Sequence, residues 1–193
     1  MNFLAHFFLS CDQPDLAVGN FLTDLLRNKE VRQLPDEVQK GVKLHRQIDT
    51  YTDNHPIVRQ AIHRLYPHHH KYAPVIVDIW YDYVLANNWS TYSDQHLQGF
   101  ADDMYKNVLD AFEIIPDRVR RQVTGMIEDN WLTKYAHIEG IRDTFDRMSR
   151  YVTKPEWLAG AADHLLEELP ALEDEFRVFF PELSSYVADQ CPC

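Results

Sequence analysis

The 193-residue sequence predicts an all-α fold, a single-domain helical bundle, and three observations carry that expectation. Apolar residues recur at i, i+3 and i+4 along nearly the whole chain, whereas the period-2 alternation of half-buried strands is scarce. Glycine occurs only six times. Seven of the ten prolines, Pro14, Pro35, Pro56, Pro74, Pro116, Pro155 and Pro170, fall near the starts of periodic segments, where a missing N–H costs nothing and φ is already helical.

Taken in order, helices are expected at about 2–10, where Phe3, Leu4, Phe7 and Phe8 share a face, and at 15–28, after Pro14. Pro35 opens 35–53 and Pro56 opens 56–65, and the segment 72–89 is apolar on all sides, as a central helix must be. Further helices follow at 94–113, 117–134, 138–151, 155–168 and 171–188. Thr153-Lys154-Pro155-Glu156 has the form of a capping box ahead of an apolar run. The His68-His69-His70 run, beside Pro67, reads as a solvated connection, with adventitious metal binding as the alternative. No internal repeat or linker divides residues 1–193, so one domain is expected.

Composition narrows the function classes. With 45% hydrophobic and 25% charged residues the chain is an ordinary globular sequence. Its 19 Lys plus Arg against 30 Asp plus Glu give a net charge of -11, which argues against broad binding to nucleic acid or to an anionic membrane. No apolar run approaches the roughly 20 residues of a membrane span, and the N-terminus lacks the basic start of a secretory signal. A cytoplasmic protein is the expectation. Cys11, Cys191 and Cys193 form no zinc pattern and no disulfide framework, and read as reduced thiols.

The informative residues are polar ones at positions that the periodicity assigns to the core. On the 35–53 helix, Val38, Val42, His45, Asp49 and Thr52 form one stripe, so His45 and Asp49 point inward together. On the 72–89 helix, Val75, Asp78, Asp82, Leu85 and Trp89 do the same. Desolvating two carboxylates one turn apart costs several kcal/mol each unless something positive faces them. His6 lies among Phe3, Leu4, Phe7 and Phe8, and Asp24 among Phe21, Leu22, Leu25 and Leu26. Convergence of His6, Asp24, His45, Asp49, Asp78 and Asp82 would build a His/carboxylate centre of the kind that suits Mn²⁺, Fe²⁺ or Mg²⁺. A structural reading stands beside it: His6 as a satisfied core histidine, Asp24 as a cap or a partner of Arg27, and His45 with Asp49 as an i, i+4 pair.

Several stretches resemble the acyl carrier protein phosphodiesterase family. They are Met1-Asn2-Phe3-Leu4-Ala5-His6, Gly19-Asn20-Phe21-Leu22-Thr23-Asp24, His45-Arg46-Gln47-Ile48-Asp49-Thr50-Tyr51-Thr52-Asp53-Asn54-His55-Pro56, Asp78-Ile79-Trp80-Tyr81-Asp82 and Trp131-Leu132-Thr133-Lys134-Tyr135. The resemblance covers most of the chain in one order and is least distinctive in the C-terminal third. It implies a helical, HD-domain-like fold and hydrolysis of the phosphodiester that joins 4′-phosphopantetheine to a serine of holo-acyl carrier protein, with Mn²⁺ favoured. On that reading Asp24, His45, Asp49 and Asp82 hold the metal, His6, Asp24 and Asp78 serve the chemistry, and Arg46 with Lys43 receives the phosphate. Two departures stand out. Tyr83 follows Asp82 where the resemblance leads one to expect a histidine, and His45 and Asp49 are four apart rather than adjacent as in HD proteins.

Two rival functions fit the same residues: an HD-type hydrolase of a nucleotide or other small phosphate ester, and a non-catalytic adaptor with a structural polar core. Charge is segregated along the chain. Residues 27–64 carry eight basic against five acidic side chains, and residues 156–193 carry nine acids against Arg177. A local basic entrance for an acidic carrier protein is therefore compatible with the acidic total.

Overall fold

A computed structural model describes residues 1–191; Pro192 and Cys193, and with them the thiol reading of Cys193, lie outside the described residues. In chain order the α-helices are α1 (Phe3–Phe8), α2 (Pro14–Leu22), α3 (Asn28–Val31), α4 (Asp36–Asn54), α5 (Pro56–His69), α6 (Ala73–Asn87), α7 (Trp89–Tyr92), α8 (Leu97–Asp110), α9 (Asp117–Glu128), α10 (Trp131–Lys134), α11 (Ile138–Ser149) and α12 (Ala161–Ala188). Single 3₁₀ turns lie at Thr23–Leu25, His70–Tyr72, Phe112–Ile114 and Pro155–Trp157. Among the described residues there is no strand, and the all-α expectation holds.

The centre of the molecule is α6, as its apolar circumference requires. Ile76, Val77, Ile79, Trp80, Tyr81 and Leu85 are buried there, and α6 packs against α1, α5 and α12. The Trp80 indole N–H donates to the Ala161 carbonyl at 3.1 Å, joining α6 to the start of α12. From α12, Phe176, Phe179, Phe180 and Leu183 complete the core. This packing explains the first departure from expectation: Pro170 does not separate two helices but lies inside one of 28 residues. A proline inside a helix costs about 3 kcal/mol, and burial of Leu165 before it and of Leu172, Phe176, Phe179 and Phe180 after it offsets that.

Other boundaries moved for local reasons. The second segment stops at Leu22 and tightens into a 3₁₀ turn. The 117–134 segment breaks at Asn130, which adopts φ 49°. Thr153 caps nothing; its hydroxyl accepts from Lys71 Nζ at 2.8 Å, and only one 3₁₀ turn follows it. The histidine run is not a solvated loop: His68 and His69 end α5, and His69 is buried. The reduced-thiol reading of Cys11 and Cys191 is overturned too. They form a disulfide with Cα atoms 5.8 Å apart, joining the segment after α1 to the end of α12. A separation of 180 residues leaves no spacing signal in the sequence.

Candidate metal centre

The centre depends on how closely α2 and α4 approach. Gly19 and Gly41 meet at their crossing, where a Cβ on Gly19 would lie 1.9 Å from the Val38 carbonyl oxygen and one on Gly41 would lie 2.3 Å from that of Leu16. Only the absence of side chains permits this contact. It brings Asn20 of α2 against His45 of α4, both buried.

Asn20 then fixes the imidazole. His45 Nδ1 lies 2.9 Å from the Asn20 carbonyl oxygen and 3.1 Å from its Oδ1. Both are acceptors, because the Asn20 amide nitrogen is occupied in donating to the His6 carbonyl at 2.7 Å and to Ser10 Oγ at 3.1 Å. His45 Nδ1 therefore carries a proton, and Nε2 faces the acids. It is 3.0 Å from Asp49 Oδ2 and 3.3 Å from Asp24 Oδ1.

His6 arrives from α1, its ring stacked on that of His45 at a centroid distance of 3.9 Å. Its Nε2 is 3.1 Å from Asp49 Oδ1. Ligand atoms of His6, His45 and Asp49 all lie within 4.8 Å of one another. The electrostatics are polarised. Burial opposes charge on His45, but its contacts with Asp24 and Asp49 prevail and raise its pKa to about 9. Burial prevails at His6 and lowers its pKa. The Asp49 carboxyl is held well below the usual range, since the two imidazoles outweigh its burial, and Asp24 is lowered through His45.

The remaining predicted residues take other places. Asp82, expected among the ligands, is not one of the three residues whose ligand atoms converge. It is fully buried, and its oxygens accept from the Leu4 N–H at 2.7 Å and the Ala5 N–H at 3.3 Å. It thus caps the start of α1, a six-residue helix too short to hold itself in water. Burial raises its pKa to about 7 against the pull of those two amides. Asp78 accepts from the Met1 α-amino group at 2.9 Å, and the same ammonium lies 3.8 Å from Asp49 Oδ1. The positive partners demanded by the two acids of α6 are thus an ammonium and a helix N-terminus. Lys43 and Arg46 are exposed on α4, with Arg46 Nη2 3.5 Å from Asn28 Oδ1.

Sequence reasoning passed over Asn20, Ser10 and the Met1 amino group. The one available signal was Asn20 itself, a polar residue inside the apolar run of α2. Whether the pocket suits a cation is tested by its unsatisfied atoms. Nδ1 of buried His6 has no hydrogen-bond partner, at a cost of about 1–3 kcal/mol, and its Nε2 meets Asp49 at 3.1 Å outside good hydrogen-bond geometry. A divalent ion facing His6 Nε2, His45 Nε2 and Asp49 would use the lone pairs that the fold leaves converging, and the residues fit such an ion.

Comparison with known proteins bears on what such a centre serves. The sequence profile described as acyl carrier protein phosphodiesterase matches residues 1–183. The chain belongs to the acyl carrier protein phosphodiesterase family. Relatives named acyl carrier protein phosphodiesterase include one from Yersinia enterocolitica, 28% identical over 191 residues that cover 98% of this chain and 99% of the relative. Another, from Salmonella newport, is 29% identical over 189 residues, covering 97% and 98% respectively. No solved structure matches the chain. As a member of the acyl carrier protein phosphodiesterase family the chain is a phosphoric diester hydrolase. Among the described residues, no helix of this family member is long and apolar enough to cross a membrane.

Proposed function

We propose that the chain is a cytoplasmic, metal-dependent hydrolase of holo-acyl carrier protein in fatty-acid synthesis, releasing 4′-phosphopantetheine and leaving the carrier in its apo form. The observation that carries this reading is the convergence of His6, His45 and Asp49 ligand atoms within 4.8 Å, in a chain of this family. These three residues would hold the ion, with Asp24 beside His45, and imidazole plus carboxylate suits Mn²⁺, with Mg²⁺ or Fe²⁺ as alternatives. When bound, the ion supplies positive charge against the phosphoryl oxygens and makes water nucleophilic near neutral pH.

The chain's own groups do the rest. Asn20 keeps His45 Nε2 turned to the site. Asp24, whose side chain is 52% exposed, accepts the proton of the attacking water from the solvent side. Asp78 and the Met1 ammonium orient Asp49, and Asp82 secures α1 and with it His6. Arg46 and Lys43, exposed on α4, receive the phosphate and its carrier.

The test is incubation of holo-acyl carrier protein with the protein and Mn²⁺, read by mass spectrometry. The expected result is conversion to the apo mass, abolished by chelation and slowed at least about 100-fold in Asp24→Ala. Persistence of the holo form where a small phosphodiester is cleaved would transfer the activity to small esters. Full turnover by Asp49→Asn would remove the metal centre from the mechanism.

A further inference from the structure

We propose a second metal site, for a borderline transition ion such as Zn²⁺, Ni²⁺ or Cu²⁺, built by His69 and His164 with His68 as the third ligand. It lies where the end of α5 meets the start of α12, and it is made of imidazole alone.

His69 is 1% exposed, and its Nδ1 lies 2.7 Å from the Trp157 carbonyl oxygen. A carbonyl only accepts, so Nδ1 carries the proton and Nε2 presents a lone pair. Metal-binding histidines are oriented in this way, the second ring nitrogen held by a backbone carbonyl. His69 Nε2 faces His164 Nδ1 at 2.8 Å. Without a metal that contact is a hydrogen bond donated by His164. Two imidazole nitrogens on one ion, each at about 2.0–2.1 Å, stand about 3.0–3.4 Å apart, so the pair need open by no more than about 0.6 Å.

The ring of His68 is 5.1 Å from that of His164. His68 is exposed, and as the third ligand it would turn its ring toward the pair about its side-chain bonds. The carboxylate nearest in sequence, Asp163, is engaged with Arg142. Three imidazoles select Zn²⁺, Ni²⁺ or Cu²⁺ over Mg²⁺ or Mn²⁺, which separates this site from the His/carboxylate centre. An ion here would pin α5 to α12.

The test is calorimetric titration of the metal-stripped, full-length protein with Zn²⁺, in the wild type and in His164→Gln, His68→Gln and Asp49→Asn. Two separable Zn²⁺ sites are expected in the wild type. His164→Gln should lose one of them, His68→Gln should weaken the same one at least about tenfold, and Asp49→Asn should leave it intact. Identical Zn²⁺ stoichiometry and affinity in wild type and His164→Gln would overturn the site. Should His164→Gln fail to fold, the surface variant His68→Gln decides, and unaltered binding there overturns the three-histidine site. Loss confined to Asp49→Asn would assign all Zn²⁺ binding to the other centre.

Discussion

His45 is a histidine whose charge is decided by two acids and whose direction is decided by one amide. Its raised pKa of about 9 lies above the unfolded value near 6.5. In metal-free protein its contribution to stability is therefore complete below pH 6.5 and lost as pH rises through about 9. After discounting for the partly exposed Asp24 and Asp49, the contribution is on the order of 1–2 kcal/mol. Thermal unfolding of chelated protein between pH 6 and 9.5 should show this decline, and His45→Gln should flatten it. The Met1 ammonium, raised through Asp78 and Asp49 against its burial, titrates with the same sign and remains in both proteins. A wild type and variant with parallel pH profiles would refute the charge assignment. Asn20 acts on the same ring through its tautomer. Asn20→Ala should weaken Mn²⁺ binding about 10–100-fold, measured by titration followed with electron paramagnetic resonance, while far-UV circular dichroism stays helical.

At the scale of elements, the approach of α2 to α4 places Asn20 on His45, and the cap by Asp82 places His6. Gly19→Ala puts a Cβ into the Val38 carbonyl, where backbone must shift because no flexible side chain can yield. A loss of about 2–3 kcal/mol in urea unfolding is expected, together with weaker metal binding as Asn20 moves off His45. Gly125→Ala meets nothing within 4 Å and should keep both properties, which makes it the control. The inward stripe of α4 was legible because 3.6-residue periodicity places His45 and Asp49 with Val38 and Val42. The role of Asp82 was not: periodicity reported its burial correctly, but a buried acid can answer to a metal, an ammonium or a helix end. Which of these it meets depends on what packs opposite.

For the whole molecule, the Cys11–Cys191 disulfide and the ion pairs of Arg64 tie the C-terminal helix to the rest. Arg64 of α5 pairs with Glu168 and Glu175 of α12, so one charge of the basic 27–64 stretch is already matched by the acidic tail. On the proposed function, the basic charge offered to a substrate then rests more on Lys43 and Arg46, both exposed on α4. The disulfide closes nearly the entire chain, and loop entropy sets about 5 kcal/mol as its ceiling. Urea unfolding of the wild type should shift to lower denaturant on reduction, and Cys191→Ser should unfold at that lower point with or without reductant. A wild-type midpoint indifferent to reductant would show that the bond contributes nothing.

The sequence by itself determined that the chain is helical, that α6 is central, that His6, His45 and the acids of α6 face inward, and which family the chain resembles. These follow from local periodicity and from residue order, which one strand of text carries in full. Tertiary structure alone decided that Asp82 meets a helix end, that Asp78 meets an ammonium, that Pro170 lies inside α12, and that Cys11 meets Cys191. Each of these is a contact or a burial energy summed over elements distant in sequence, and periodicity has no term for what lies across the core.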